Sequence, residues 1–160
     1  IDDEIQLADS GYGQGQVLVN PLHMASIYSA FLNGGNMIAP YLEYKEDAAP
    51  SVWKEGVFSA EAAEIVKQDL VQVIEDDGGT GHGAYTEGQS LAGKTGTAEI
   101  KGSQDDTTGT ELGWFVVFPT DADTGEAWLS VTMAEDVAGR GQSAYVVNKT
   151  KALIDTVFSS

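Results

Sequence analysis

The stretch Gly88-Gln-Ser-Leu-Ala-Gly93-Lys94-Thr95-Gly96-Thr97 carries two readings that lead to different folds. From Gly88 to Thr95 it satisfies GxxxxGK[ST], a loop whose backbone N–H groups and lysine cradle a nucleotide's phosphates. That loop needs a hydrophobic strand before it and a helix that begins at Lys-Thr. Here Gly96 follows Thr95, and a glycine-rich tract precedes Gly88. Between Asp69 and Asp136 the cations are Lys94 and Lys101 only, against many carboxylates, a poor setting for a triphosphate. The second reading places Lys94 to Thr97 on a strand, where period-two alternation sends Thr95 and Thr97 to one face and Lys94 to the other. Gly96 then permits close approach. A ligand lying along such a strand takes backbone hydrogen bonds, threonine hydroxyls and the positive potential of the lysine, which suits a peptide ending in a carboxylate.

The surrounding sequence supports the strand. Ser90 to Lys101, Glu111 to Phe118 and Ala127 to Glu135 read as three strands, separated by the turn-rich stretches Gly102 to Gly109 and Pro119 to Gly125, as in an antiparallel meander. Trp114 and Phe115 point to opposite faces, one into the core and the other toward the groove beside the first strand; periodicity leaves open which is which. Upstream, Asn20-Pro21 reads as an N-cap and first helical position, with Leu22, Ala25, Tyr28, Phe31 and Leu32 at helical spacing until Asn33-Gly34-Gly35. Met37 to Tyr44 reads as a brief extended stretch, and Lys45 to Ser51 as a polar loop. Ser59 caps a second helix with a stripe of Ile65, Val66, Leu70, Val73 and Ile74, ending in Asp77-Gly78-Gly79. A last helix, Ser143 to Phe158, puts Ala144, Val147, Lys151, Ile154 and Phe158 on one side. The expected fold is α+β, a three-stranded antiparallel meander with flanking helices.

The 160 residues allow one domain, and 25 acidic against 8 basic residues give a net charge of −17. Without a basic patch, nucleic acid and anionic membrane surfaces are not expected partners. A 42% hydrophobic content is that of a chain that folds. The absence of cysteine removes disulfides, thiolate metal sites and cysteine nucleophiles. No apolar run approaches the roughly 20 residues of a membrane span. His23 and His82 are isolated, and the consecutive Glu75-Asp76-Asp77 lacks calcium-loop spacing, so neither a metal nor a cofactor is expected. Because residue 1 is Ile, the chain reads as a piece of a longer protein.

Several spaced segments together resemble the penicillin-binding DD-transpeptidases, whose third active-site motif is Lys-Thr/Ser-Gly-Thr on a strand. They are Ser10-Gly-Tyr-Gly-Gln-Gly15, Asn20-Pro21 with the helix to Asn33-Gly34-Gly35, Val52-Trp53-Lys54, Gly93-Lys-Thr-Gly-Thr-Ala-Glu99, Leu112-Gly-Trp-Phe115 and Val137 to Tyr145. They are most similar to the class B, low-affinity, methicillin-resistance type. The resemblance implies a partial β-lactamase/transpeptidase-like fold, with residues 1–160 forming the C-terminal portion of the transpeptidase domain. It also implies a serine acyl-enzyme mechanism acting on peptidoglycan stem peptides and trapped by β-lactams. Carried across by motif, Lys94 and Thr97 are catalytic: Lys94 assists proton transfer and attracts the carboxylate, and the Thr97 N–H is half of the oxyanion hole. Thr95, Gly96 and Thr97 bind substrate. The implied location is the outer face of the cell membrane, through an N-terminal anchor not in this chain.

The Ser-x-Asn motif of that family is absent here, and Ser51-Val-Trp-Lys54 matches Ser-x-x-Lys only literally, between two helices and after Pro50. A nucleophile should open a buried helix so that the lysine one turn on can act as its base. The 160 residues are therefore expected to lack the nucleophile and to be inactive alone. If the family topology holds, the Lys94 strand borders the cleft and the Ala127 to Glu135 strand has an open outer edge, which invites self-association. The two other readings are the nucleotide-binding loop and a peptide or β-lactam binding module without chemistry.

Overall fold

The computed structural model describes residues 4–14, 17–43, 46, 49–100, 108–120 and 127–158. Along these the elements are α1 (Glu4–Gly11), α2 (Pro21–Leu32), β1 (Met37–Ile38), β2 (Val52–Lys54), α3 (Ala60–Glu75), a 3-10 turn (His82–Ala84), β3 (Leu91–Ile100), β4 (Thr110–Pro119), β5 (Ser130–Ala134) and α4 (Ser143–Phe158). The meander is present: β3, β4 and β5 form one antiparallel sheet in that order. Most of the two turn-rich stretches expected between its strands falls at residues 101–107 and 121–126, outside the described residues.

The sheet separates two hydrophobic layers, and the β3–β4 register decides which side chain enters which. Thr95 lies opposite Phe115 and Lys94 opposite Val116. Leu91, Phe115 and Val117 therefore face α4, where they meet Val146, Val147 and Ile154. Ala92, Val116 and Phe118 face the other way, with Leu70 of α3 and Tyr28 and Phe31 of α2. Leu70 packs in the α2 layer and Ile74 in the α4 layer, so α3 contributes to both cores beside β3. Two glycines bring the layers together. A Cβ on Gly93 would lie 2.7 Å from the Val116 carbonyl oxygen and 2.9 Å from Ile74 Cδ1, and one on Gly113 would lie 2.6 Å from Val146 Cγ2.

Local chemistry starts and stops the helices as the sequence implies. The Asn20 side chain accepts from the Leu22 N–H at 2.8 Å, with Pro21 at the first helical position. Ser59 Oγ accepts from the Ala62 N–H at 3.1 Å. After α2, Gly34 and Gly35 both take positive φ, and the Gly35 carbonyl accepts from the Val57 N–H at 2.9 Å, which ties the helix end to the β2–α3 connection.

Four local expectations change. Residues 4–11 form a helix that no periodicity announced. Val52–Lys54, placed ahead of the second helix without an assigned conformation, pairs with β1 as a short strand. On α3 the buried residues are Ala63, Leu70 and Ile74, while Ile65 and Val66 are exposed because no described element covers that side. On α4 the buried stripe is Val146, Val147, Thr150 and Ile154, and Ala144 is exposed. Thr150 enters the core because its single hydroxyl proton can go to the Val146 carbonyl or to Thr132 Oγ1, each 2.9 Å away, so its own oxygen is not stranded.

Gly93→Ala should destabilise the chain by about 1–3 kcal/mol in urea unfolding, since the inserted methyl meets backbone oxygen and core atoms with no room to relax. Ser59→Ala should cost about 1 kcal/mol in the same measurement through loss of the α3 cap.

Candidate active-site strand

Lys94 to Thr97 lie in the middle of β3, at one edge of the sheet. A strand here removes the phosphate-loop reading: Thr95 continues an antiparallel ladder instead of opening a helix whose N-terminus could face phosphate. β3 is itself an edge because β4 pairs on one side only, so alternate residues direct both backbone groups outward. The outward residues are identified by their carbonyls. The Thr95 carbonyl accepts from Lys94 Nζ at 2.7 Å, and the Thr97 carbonyl accepts from Gln14 Nε2 at 3.1 Å. Neither oxygen is used by β4, so the N–H groups of Thr95 and Thr97 share the outward direction.

The side chains alternate as period two requires. Lys94 is exposed and Thr95 is buried, 8% accessible. Thr95 Oγ1 lies 2.7 Å from Thr80 Oγ1, which links the motif to the glycine-rich segment after α3. Thr97 is half-buried. Gly96 faces the Lys94 side, and a Cβ there would meet Trp114 Cβ at 3.4 Å, an ordinary contact. The packing of the described residues therefore does not demand glycine at this position, and the space above it stays open. The neighbouring aromatic pair resolves as well. Phe115 is fully buried against α4, and Trp114 is the partly exposed member, directly opposite Gly96.

The glycine-rich segment is held by His82. Its Nδ1 donates to the Ile74 carbonyl at 2.9 Å and its ring stacks on Tyr85 at 5.5 Å between centroids, a structural role that fixes Thr80 below β3. His23 instead packs near Trp53, 5.7 Å between centroids. Among the described residues no group of three or more potential ligands could hold a metal ion. The literal Ser51-x-x-Lys54 lies on and beside β2, exposed, and in extended backbone positions three apart point to opposite faces. Serine and lysine are thus not brought together as a nucleophile and base on one helical turn would be.

One participant escaped sequence reasoning. Gln14 reaches the site from the turn after α1, and only its place in Ser10-Gly-Tyr-Gly-Gln14 hinted at a role. Beside it the Tyr12 hydroxyl donates to Asp9 Oδ1 at 2.6 Å, and that hydrogen bond holds the phenol above its ordinary pKa.

Comparison with known proteins agrees with this geometry. Residues 3–155 match the penicillin binding protein transpeptidase domain. Penicillin-binding protein 3 of Bacillus subtilis is 41% identical over 151 residues, which cover 94% of this chain and 22% of that protein. Stage V sporulation protein D of the same organism is 33% identical over 105 residues, 59% of this chain and 16% of that protein. Among solved structures, penicillin-binding protein A from M. tuberculosis, a ceftriaxone acyl-enzyme complex, has a TM-score of 0.71 at 20% identity, covering 98% of this chain and 36% of that one. Penicillin binding protein 3 from the same genus, complexed with aztreonam, has a TM-score of 0.65 at 24% identity, covering 93% and 37%. At these identities the structural likeness establishes the fold, an α+β arrangement around a three-stranded antiparallel sheet. The chain spans about a fifth of the length of the curated relatives and about a third of the solved ones. On the match that covers nearly all of its residues, this chain belongs to the penicillin-binding protein transpeptidase family, in the class B group with penicillin-binding protein 3.

Proposed function

We propose that this chain forms one wall of the active-site cleft of a peptidoglycan DD-transpeptidase, in which Lys94 and Thr97 are catalytic and Thr95, Gly96 and Thr97 bind substrate. The observation that carries this reading is the edge of β3, where the backbone of Thr95 and Thr97 faces outward beside an exposed lysine and above an uncrowded glycine. A stem peptide laid along that edge finds hydrogen-bonding backbone groups and a cation for its terminal carboxylate. The attacking serine, supplied from outside residues 1–160, adds its Oγ to the carbonyl of the penultimate D-alanine. The serine proton is taken up by a base, and the carbonyl oxygen takes up negative charge beside the Thr97 N–H. The C–N bond then breaks with that proton delivered to the terminal D-alanine, which departs as the amine and leaves an acyl-enzyme for an acceptor amine. A β-lactam follows the same first step, but its ring nitrogen stays tethered, so the acyl-enzyme is slow to resolve.

The ceftriaxone and aztreonam complexes of the two structural relatives support β-lactams as partners. Within this reading the low-affinity, methicillin-resistance type is the subgroup, and the outer face of the cell membrane is the location. No helix among the described residues is long and apolar enough to cross a membrane. Among the described residues no strand pairs with the outer edge of β5, which is read as the seam for the remaining strands of the domain or, without them, for a second copy of the chain.

Lys94→Ala in the intact protein should slow acylation by a fluorescent penicillin by about 100-fold or more, the scale of losing a group that handles protons and charge in the transition state. Ser51→Ala should leave labelling unchanged, and the 160-residue chain alone should not label. Full labelling of the Lys94→Ala protein, or loss of labelling in Ser51→Ala, overturns the residue assignments.

A further inference from the structure

The outward carbonyl of Thr97 is already occupied, and its partner lies 83 residues away in sequence. Gln14 Nε2 donates to it at 3.1 Å, in the way the backbone N–H of an added strand would. The reach is prepared locally. The Gln14 N–H donates to the Asp9 carbonyl at 2.9 Å and the Gly13 N–H to the Ser10 carbonyl at 3.2 Å, with Gly13 at φ +84. The turn is thereby folded back on α1 and the Gln14 side chain directed at β3. Lys94 Nζ covers the Thr95 carbonyl in the same way, so the two outward acceptors of the Lys94–Thr97 motif are met from within the chain.

A peptide added at the ladder spacing of about 4.8 Å must pass through the space beside the Thr97 oxygen. A ligand amide N–H and the Gln14 amide then compete for one acceptor at one place. The contact is a single neutral hydrogen bond from a half-buried side chain, which can be exchanged at modest cost. Resting on the transpeptidase reading above, we infer that Gln14 is a specificity-determining latch: its amide holds the Thr97 carbonyl until an acyl donor with its own amide N–H displaces it. The latch taxes amide-bearing donors by the cost of breaking its bond. Donors without that N–H never engage this acceptor and are not taxed.

The test compares two β-lactams on the intact protein. Benzylpenicillin carries a side-chain amide next to the reactive ring, and penicillanic acid sulfone has none. Gln14→Ala should raise the acylation rate constant for benzylpenicillin about fivefold relative to that for the sulfone, the range set by one neutral hydrogen bond. Gln14→Met, close in volume but without a donor, should do the same, and both variants should keep the thermal midpoint of the parent within a few degrees. An unchanged ratio overturns the latch, as does an equal change with both compounds. A fall for benzylpenicillin alone also overturns it, since Gln14 would then assist the amide. Failure of both variants to fold overturns it too, because a contact needed for folding is not one a ligand can displace. If the parent protein is acylated by neither compound, the transpeptidase reading itself fails, a result distinct from an acylated protein with no change in ratio.

Discussion

The antiparallel pairing of β3 with β4, running from Leu91 opposite Pro119 to Ile100 opposite Thr110, is the constraint on which the remaining structure depends. A slip of one residue would exchange the faces of every side chain on β3. It would drive Lys94 toward the layer that Phe115 and Val146 fill and take Thr95 away from Thr80. Burial guards against this, because Phe115 and Val117 face α4 while Val116 and Phe118 face α2 and α3, and all four are inaccessible or nearly so. β4 is therefore locked by hydrophobic demand on both faces, and β3 inherits its register from β4. The motif strand, which has few strong β-formers of its own, is held extended by its neighbour.

Backbone and side chain divide the work at the site. Facing inward, Thr95 is anchored through Thr80 to a segment fixed in turn by His82 on the Ile74 carbonyl. Facing outward, the carbonyls of Thr95 and Thr97 meet, among the described residues, the side chains of Lys94 and Gln14. The ladder fixes where the amide and carbonyl groups point, and the groups covering the carbonyls are side chains that take no part in the ladder. The three glycines of this region have different duties. Gly93 and Gly113 are required by packing, whereas nothing within the described residues crowds Gly96.

Much of this was legible along the chain. Caps at Asn20 and Ser59, the three strands, the last helix and the alternation of Lys94 with Thr95 and Thr97 all rest on local rules of hydrogen bonding and periodicity, which operate wherever the chain goes. The phosphate-loop reading could be doubted on the same local grounds, from Gly96 after Thr95. Less legible were the short helix at residues 4–11, whose pattern is too brief to register, and the buried faces of α3 and α4. Ile65 is as apolar as Ile74, yet the first is exposed and the second is buried, because burial depends on what lies opposite.

The amino-acid order by itself determined the three sheet strands and the helices after Asn20, Ser59 and Gln142, the alternation of the motif residues, and the family resemblance, since those follow from local spacing. Tertiary structure alone decided that Phe115 and not Trp114 fills the core, that Thr95 is tied to Thr80, and that Gln14 reaches across 83 residues to the Thr97 carbonyl. The reason is physical: periodicity states that two side chains point opposite ways, but only packing supplies the partner that makes one way inside, and a long-range hydrogen bond leaves no periodic trace in the sequence.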